Sequence, residues 1–468
     1  MEFDAPAACR HERSHITDSI FHGHSYATAA SKRIFCDVCR YQRWLDVEAA
    51  LAMTQGELGI LPAKAAKDIE ASARVELLDL DAVREDALRS GHSLIGLLRA
   101  LRRVTPDDSG EYLHYGATTQ DIQDTAQSLE IRDVLDELDQ LLRSIVTSLV
   151  RLAERHGDAL SLGRTHAQPA LPMGFGVKLA GWIDEILRHA ERVATMRPRV
   201  LTVQMFGAVG TMAGFGEHGP AVLSGCAARL GLGVPASSWH TARDRVAEYV
   251  STLAMIAATL ARIADEIRLL SRPEFAEVEE AWQHGEIGSS TMPHKRNPER
   301  CEQVVALARL CAGLVAPALM AMTGDGERDA RALRVEWACV ADAAHYCLAA
   351  ATLTAGVLDG LRVDTHRLAA NVRRAGDQLA TERLMLALAR KLGRQTAYER
   401  VYDLVQRAHA DGRSVRAQLA DDPTLAGLLD PVELDHVFDP MSHLGRSPQL
   451  TRRAVEAATS WLQKTSPW

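Results

Sequence analysis

Aromatic side chains are scarce in this chain of 468 residues, at 5% of the total, while alanine and leucine are plentiful. That balance favours helix–helix packing over sheets. A basic surplus is also missing. The formal net charge is -8, and a nucleic acid or an anionic membrane would need a clustered basic face. Neither is expected as a partner, so any anion-binding site must be local. No uninterrupted run of 18 apolar residues occurs, and "MEFDAPAACRHERSH" lacks the basic-then-apolar order of a signal peptide. The expected location is the cytoplasm. The eight cysteines are scattered, and Cys36–Cys39 is the only CxxC, without a second pair or a nearby histidine couple. They read as free thiols, with no metal and no cofactor.

What is abundant is helical periodicity. "RYQRWLDVEAALAMTQGELGI" places Tyr41, Trp44, Leu45 and Leu51 on one face, with Gly56 and Gly59 closing it. Residues 1–35 before it read as an irregular arm. From Asp121 onward Leu138, Leu142, Ile145, Leu149 and Leu152 recur at three- and four-residue steps, with neither Gly nor Pro for over thirty residues. Similar runs cover roughly 172–198, 241–270, 298–322 and 330–360. No segment alternates as a strand. Helices of this length fit a long bundle, and their wide apolar faces invite packing against further subunits. The expected fold is all-α with three domains: 1–113, a central long-helix bundle at 114–364, and a small helical domain at 365–468.

Three polar clusters interrupt the bundle, each read as the entrance to a long helix. In "HYGATTQDIQDTA" (114–126) Thr118 and Asp121 form a capping pattern. In "GRTHAQPALPMGFG" (163–176) Pro169 and Pro172 forbid an earlier helix start. In "GEIGSSTMPHKRNPERCEQ" (285–303) Asn297-Pro298 reads as a cap and first helical residue. Helix N-termini attract carboxylates, so three of them suggest a polyanionic small substrate. Taken singly, each residue is an ordinary cap, an exposed histidine or part of a flexible loop. Their joint order says more.

"GSSTMPHKRNP" resembles the signature loop of the fumarase/aspartase superfamily, and "GRTHAQPA" and "HYGATTQD" resemble its histidine and threonine motifs in the same order. "RYQRWLDVEAALA" and "DPMSHLG" are similar to the branch holding adenylosuccinate lyase and 3-carboxy-cis,cis-muconate cycloisomerase. The likeness covers nearly the whole chain. It implies a homotetramer with a many-helix core, sites assembled from three subunits, a small dicarboxylate substrate, and β-elimination with release of fumarate. It also implies roles. Ser289 is the base and His166 the general acid, oriented and charged by Glu302, with His114 a second active-site histidine. Substrate-binding roles fall to Thr118, Thr119, Gln168, Lys295, Asn297, Arg328, Arg331, Arg334 and His92. Physical chemistry agrees in outline. Loss of a proton beside a carboxylate builds a dianionic aci-carboxylate, which needs cations and N–H donors aimed at it. A serine acts as base only in a positive, water-poor environment, which a closing loop with Gly285 and Gly288 as flexible points would provide.

Two departures bear on the branch. Where adenylosuccinate lyases hold a nucleotide phosphate with an arginine, "GERDARALRVEWA" has Trp337, and "WHTARDRVAEY" has Ala242 where a glutamine is usual. The histidine of "GRTHAQ" is retained, which favours elimination over the cycloisomerase's lactonisation. The expectation is a lyase cleaving a C–N bond of a small substituted succinate, nitrosuccinate leading. Adenylosuccinate lyase, the cycloisomerase and a non-catalytic crystallin-like scaffold are the alternatives.

Overall fold

In the helix Thr119–His156 the apolar spacing becomes a buried face: Leu138, Leu142, Ile145 and Leu149 are fully buried and Leu152 nearly so. The computed structural model describes residues 15–464, and the all-α expectation holds. The other long helices are Asp37–Glu57, Gly176–Val200, Asp244–Leu270, Glu299–Gly313 continued by Val315–Met320, and Ala330–Gly360. Beyond Gly360 the helices shorten, as the Asp-Pro punctuation implies.

The chain divides into two units. The first comprises Met1–Leu142, His189–Arg262 and Gln303–Leu353. Its core packs Trp44, Leu45 and Leu51 with Leu94, Leu97 and Leu101, and with Ile122, Leu129, Met205 and Val222. The second comprises Arg143–Arg188, Ile263–Glu302 and Thr354–Trp468. There Leu384, Leu388, Val401 and Leu404 form one cluster, and Leu162, Val372 and Leu379 another.

Three sequence expectations change. The arm is partly regular: Ala29–Phe35 is a helix, started by a reciprocal capping box between Thr28 and Ser31. It is too short for apolar periodicity to reveal. Residues 1–14, including Cys9, lie outside the described residues. Cys36 caps the next helix, its sulfur accepting from the Cys39 N–H at 3.4 Å, and the seven described cysteines are free. Strands do occur. Leu160–Thr165 and Gln168–Gly174 pair as an antiparallel hairpin, and Val278–Glu279 pairs with Arg362–Val363. Pro169 and Pro172 therefore sit in a strand of a two-stranded edge, where a missing N–H is tolerated, and the helix begins only at Gly176. Lastly, although no uninterrupted apolar run exists, Asp244–Leu270, Glu299–Met320 and Ala330–Gly360 are long and apolar enough on average to cross a membrane. In the first and third, 61% and 72% of the apolar window is buried in protein.

Arg243 ties the first unit together. It is 1% exposed, with Nη1 2.9 Å from Asp124 Oδ2 and Nε 2.7 Å from Glu336 Oε1. Those carboxylates stand on the Thr119–His156 and Ala330–Gly360 helices, and Arg243 immediately precedes Asp244–Leu270. Removing the guanidinium strands two buried carboxylates, which costs about 3–5 kcal/mol. Arg243→Met should lower the urea midpoint accordingly; a loss below about 1 kcal/mol would mark the triad as an ordinary surface pairing.

Candidate active site

In the first unit the threonine motif is organised by one buried carboxylate. Asp121 is 0% exposed and accepts four hydrogen bonds. Thr118 N–H reaches Oδ2 at 3.0 Å and Gly207 N–H at 2.8 Å, while Phe206 N–H reaches Oδ1 at 3.1 Å and His240 Nε2 at 2.9 Å. Only half of the expected capping box forms, because the Thr118 hydroxyl instead accepts from Arg328 Nη1 at 2.6 Å. Thr119 Oγ1 lies 3.3 Å from His92 Nε2. His92 also caps the Ser93–Val104 helix through Nδ1, so it serves the helix start and the cluster together.

His114 stands beside this motif with φ +59°. Its Nδ1 is 2.6 Å from Oε1 of Glu48, which is 1% exposed. Burial alone would lower the imidazole's pKa, but the charge and hydrogen bond of Glu48, with a contribution from Asp121, outweigh it and raise the value above the ordinary 6.5. Gly116 fixes the path of the segment: with φ +76°, a Cβ there would lie 2.7 Å from the Phe215 ring and 2.8 Å from the Gly214 carbonyl. Tyr41, Trp44, Ser93, Gln123 and Trp337 line a nearby pocket of about 170 Å³.

The second unit carries the other two motifs. His166 and Ala167 are the two-residue turn of the hairpin, with φ +50° and +63°. Positive φ at both turn positions suits the twist of the flanking strands, but each non-glycine residue there carries strain. The turn thrusts His166 into solvent, with Gln168 exposed behind it. Arg164 fastens the hairpin's base, its Nη1 and Nη2 reaching Glu277 at 3.0 and 2.6 Å.

The signature loop is closed by its own polar atoms. Ser289 Oγ accepts from the Met292 N–H at 3.1 Å and the Thr291 N–H at 3.4 Å. Asn297 Nδ2 donates to the Gly288 carbonyl at 2.6 Å, and Lys295 N–H to the Met292 carbonyl at 3.1 Å. Gly288 is not a hinge: a Cβ there would sit 2.4 Å from the Lys295 carbonyl, so the position needs glycine for close approach. Asn297 braces the loop, and the helix starts at Glu299. Lys295, Asn297 and Glu302 line a cavity of about 1010 Å³.

A family model described as Lyase matches residues 24–313, and one described as Adenylosuccinate lyase C-terminus matches residues 377–454. The chain is 38% identical to N-acetyl-S-(2-succino)cysteine lyase of Dickeya dadantii, over 95% of this chain and 98% of that protein. It is 37% identical to adenylosuccinate lyase of Methanothermobacter thermautotrophicus, over 93% and 98%. The crystal structure of 3-carboxy-cis,cis-muconate lactonizing enzyme from Pseudomonas putida superposes with a TM-score of 0.86 at 34% identity, covering 93% of this chain and 98% of that one. The chain belongs to the fumarase/aspartase superfamily of lyases.

Within this superfamily chain the candidate residues fall into two sets. His92, His114, Thr118, Thr119 and Arg328 gather in the first unit; Ser289, Lys295, Asn297, Glu302, His166 and Gln168 belong to the second. Among the described residues of one chain, no ion pair joins His166 to Glu302. Arg331 is already paired. Its guanidinium is held by Asp329, Nε to Oδ1 at 3.0 Å, and by Asp325 at 2.5 Å, so its charge is already neutralised. Arg334 and Trp337 are exposed. Sequence reading missed Glu48, Glu277, Arg164 and His240, which act through others. For His240 the signal was the "WHTARD" stretch; for Glu48 and Glu277 there was none beyond an acid within an apolar run.

The raised pKa of His114 has a sign that can be measured. Its pairing with Glu48 stabilises the fold fully below about pH 6.5, the unfolded value, and that part is lost as pH rises through the higher folded value. The stability gap between wild type and His114→Gln should therefore be largest below about pH 6.5 and shrink as pH rises above it. A gap that widens with pH in denaturation experiments would contradict the pairing.

Proposed function

We propose that this chain catalyses β-elimination from a small substituted succinate, releasing fumarate, with a thiol as the best-supported leaving group. The observation that carries the elimination chemistry is the Ser289 hydroxyl oxygen accepting two peptide N–H groups on the loop that bears Lys295. Those donors favour the alkoxide, the form that can act as a base. In this reading the alkoxide takes a proton from the carbon beside a carboxylate, and Lys295 and Asn297 face the aci-carboxylate that forms. The electron pair then makes the carbon–carbon double bond while the bond to the leaving group breaks. His166 supplies the proton that the departing atom needs.

The thiol reading rests on the relatives named N-acetyl-S-(2-succino)cysteine lyase, two of which are 37–38% identical over more than nine-tenths of this chain. A thiol with a pKa of about 8.5 also departs more readily than an unprotonated amine. A nitrogen leaving group is the second reading, favoured by the adenylosuccinate lyase relative and C-terminal match; nitrite from nitrosuccinate would be its smallest form. Against a nucleotide stands the pocket beside Trp337. An indole there cannot make the bidentate guanidinium–phosphate contact that an arginine would give.

We assign the working form as a soluble, cytoplasmic homotetramer. The helical stretch Glu299–Met320 is the most apolar of the long ones, yet only 28% of its apolar window is buried, with Leu310, Leu319 and Met320 exposed. Such a strip calls for protein cover.

Ser289→Ala should lower kcat by on the order of 10²–10⁴, the scale of a lost general base, while leaving the fold intact, and Ser290→Ala should cost far less. Mixed Ser289→Ala and His166→Ala subunits should recover part of the activity. Equal losses in the two serine variants would remove Ser289 from its role.

A further inference from the structure

The cavity beneath the signature loop is larger than a succinyl group requires, and six lysines and arginines line it against four carboxylates. All its lining residues belong to the second unit. Lys295, Asn297 and Glu302 form one part of the wall; Arg272, Arg362 and Arg367 form another. Its acids are mostly engaged. Glu279 holds Arg296 at 3.0 Å, Glu280 accepts from the Cys301 N–H at 2.9 Å, and Asp364 accepts from the Arg367 N–H at 2.9 Å. Among the described residues, no carboxylate pairs with Lys295, Arg272, Arg362 or Arg367. Four cations without a carboxylate partner thus share one cavity with Glu302, while Glu280 and Asp364, held only by peptide N–H groups, keep their charge. Between them lie Pro273, Ala276, Val278 and the Trp282 indole, a surface suited to an apolar linker.

A succinyl group has two carboxylates, and Lys295 with Asn297 suffices to meet one end of it. Three further arginines without partners call for another anion on the same molecule. Exposed arginines are ordinarily solvated, but several lining one concave space raise the local potential for an anion, and guanidinium–carboxylate hydrogen bonds are among the stronger ones. Resting on the proposed elimination, we infer that Arg272, Arg362 and Arg367 form a second anion subsite, which recognises a carboxylate on the leaving group. The substrate class is then a succinate whose thiol substituent carries its own carboxylate, at least trianionic overall.

The test compares N-acetyl-S-(2-succino)cysteine with its analogue amidated at the cysteine carboxyl, in wild type and in the Arg362→Gln/Arg367→Gln double variant. Wild type should show a KM for the amide about tenfold or more above that for the acid, with similar kcat. In the double variant that ratio should collapse towards one, through a higher KM for the acid. An unchanged ratio, or one near unity in wild type, would overturn the subsite. Calorimetric titration with N-acetylcysteine separates this from the elimination itself. If wild type eliminates neither compound, yet binds N-acetylcysteine in a way the double variant loses, the elimination fails and the subsite stands. If turnover is robust but binding and KM are indifferent to the arginines, only the subsite falls.

Discussion

An ionised carboxylate buried in a helical core costs several kcal/mol unless every lone pair finds a donor or a cation. In this chain the threonine motif, His114 and the His166 hairpin are each held by such a carboxylate one layer below. Asp121 gathers Thr118, His240 and two peptide N–H groups; Glu48 holds His114; Glu277 holds the arginine at the base of the His166 hairpin. Packing alone would let polar motifs on helix ends fray. The buried acids remove that freedom, because each can be satisfied only when the segments around it are in place.

Division of labour follows from this. The candidate groups are exposed or half-exposed, on a two-residue turn, a loop and a helix start, whereas the acids that hold the turn and the helix start are buried. Backbone strain sits at the same places, with positive φ at His114, His166 and Ala167. Strain of that kind persists where the surroundings over-determine the conformation. The Asp121 network and the Arg164–Glu277 pair supply that constraint here.

Much of this was legible in the sequence. The long helices announced themselves through unbroken 3.6-residue spacing, with ends within a few residues of those observed, and the three polar motifs marked the candidate site. The hairpin escaped because its inward and outward residues do not alternate cleanly, and because its prolines suggested a delayed helix instead. Ser289, Lys295 and Asn297 were visible through their motif, but the use of Gly288 for close approach was not: glycine reads as freedom until the carbonyl facing it is known. The pairing of Arg331 was hidden for a similar reason, since Asp325 and Asp329 lie close in sequence but only geometry shows them engaged. Buried acids such as Glu48 leave almost no local signal, as their partners are distant along the chain.

The proposed elimination needs the succinyl half of the substrate and no nucleotide. Side-by-side kinetics, read as fumarate formation, test it most directly. N-acetyl-S-(2-succino)cysteine and nitrosuccinate should bracket the small substrates, with adenylosuccinate as comparator. For at least one small succinate kcat/KM should exceed that for adenylosuccinate by about tenfold or more, the cost of a lost charge-assisted phosphate contact. A value for adenylosuccinate equal to or above that of every small succinate would contradict it.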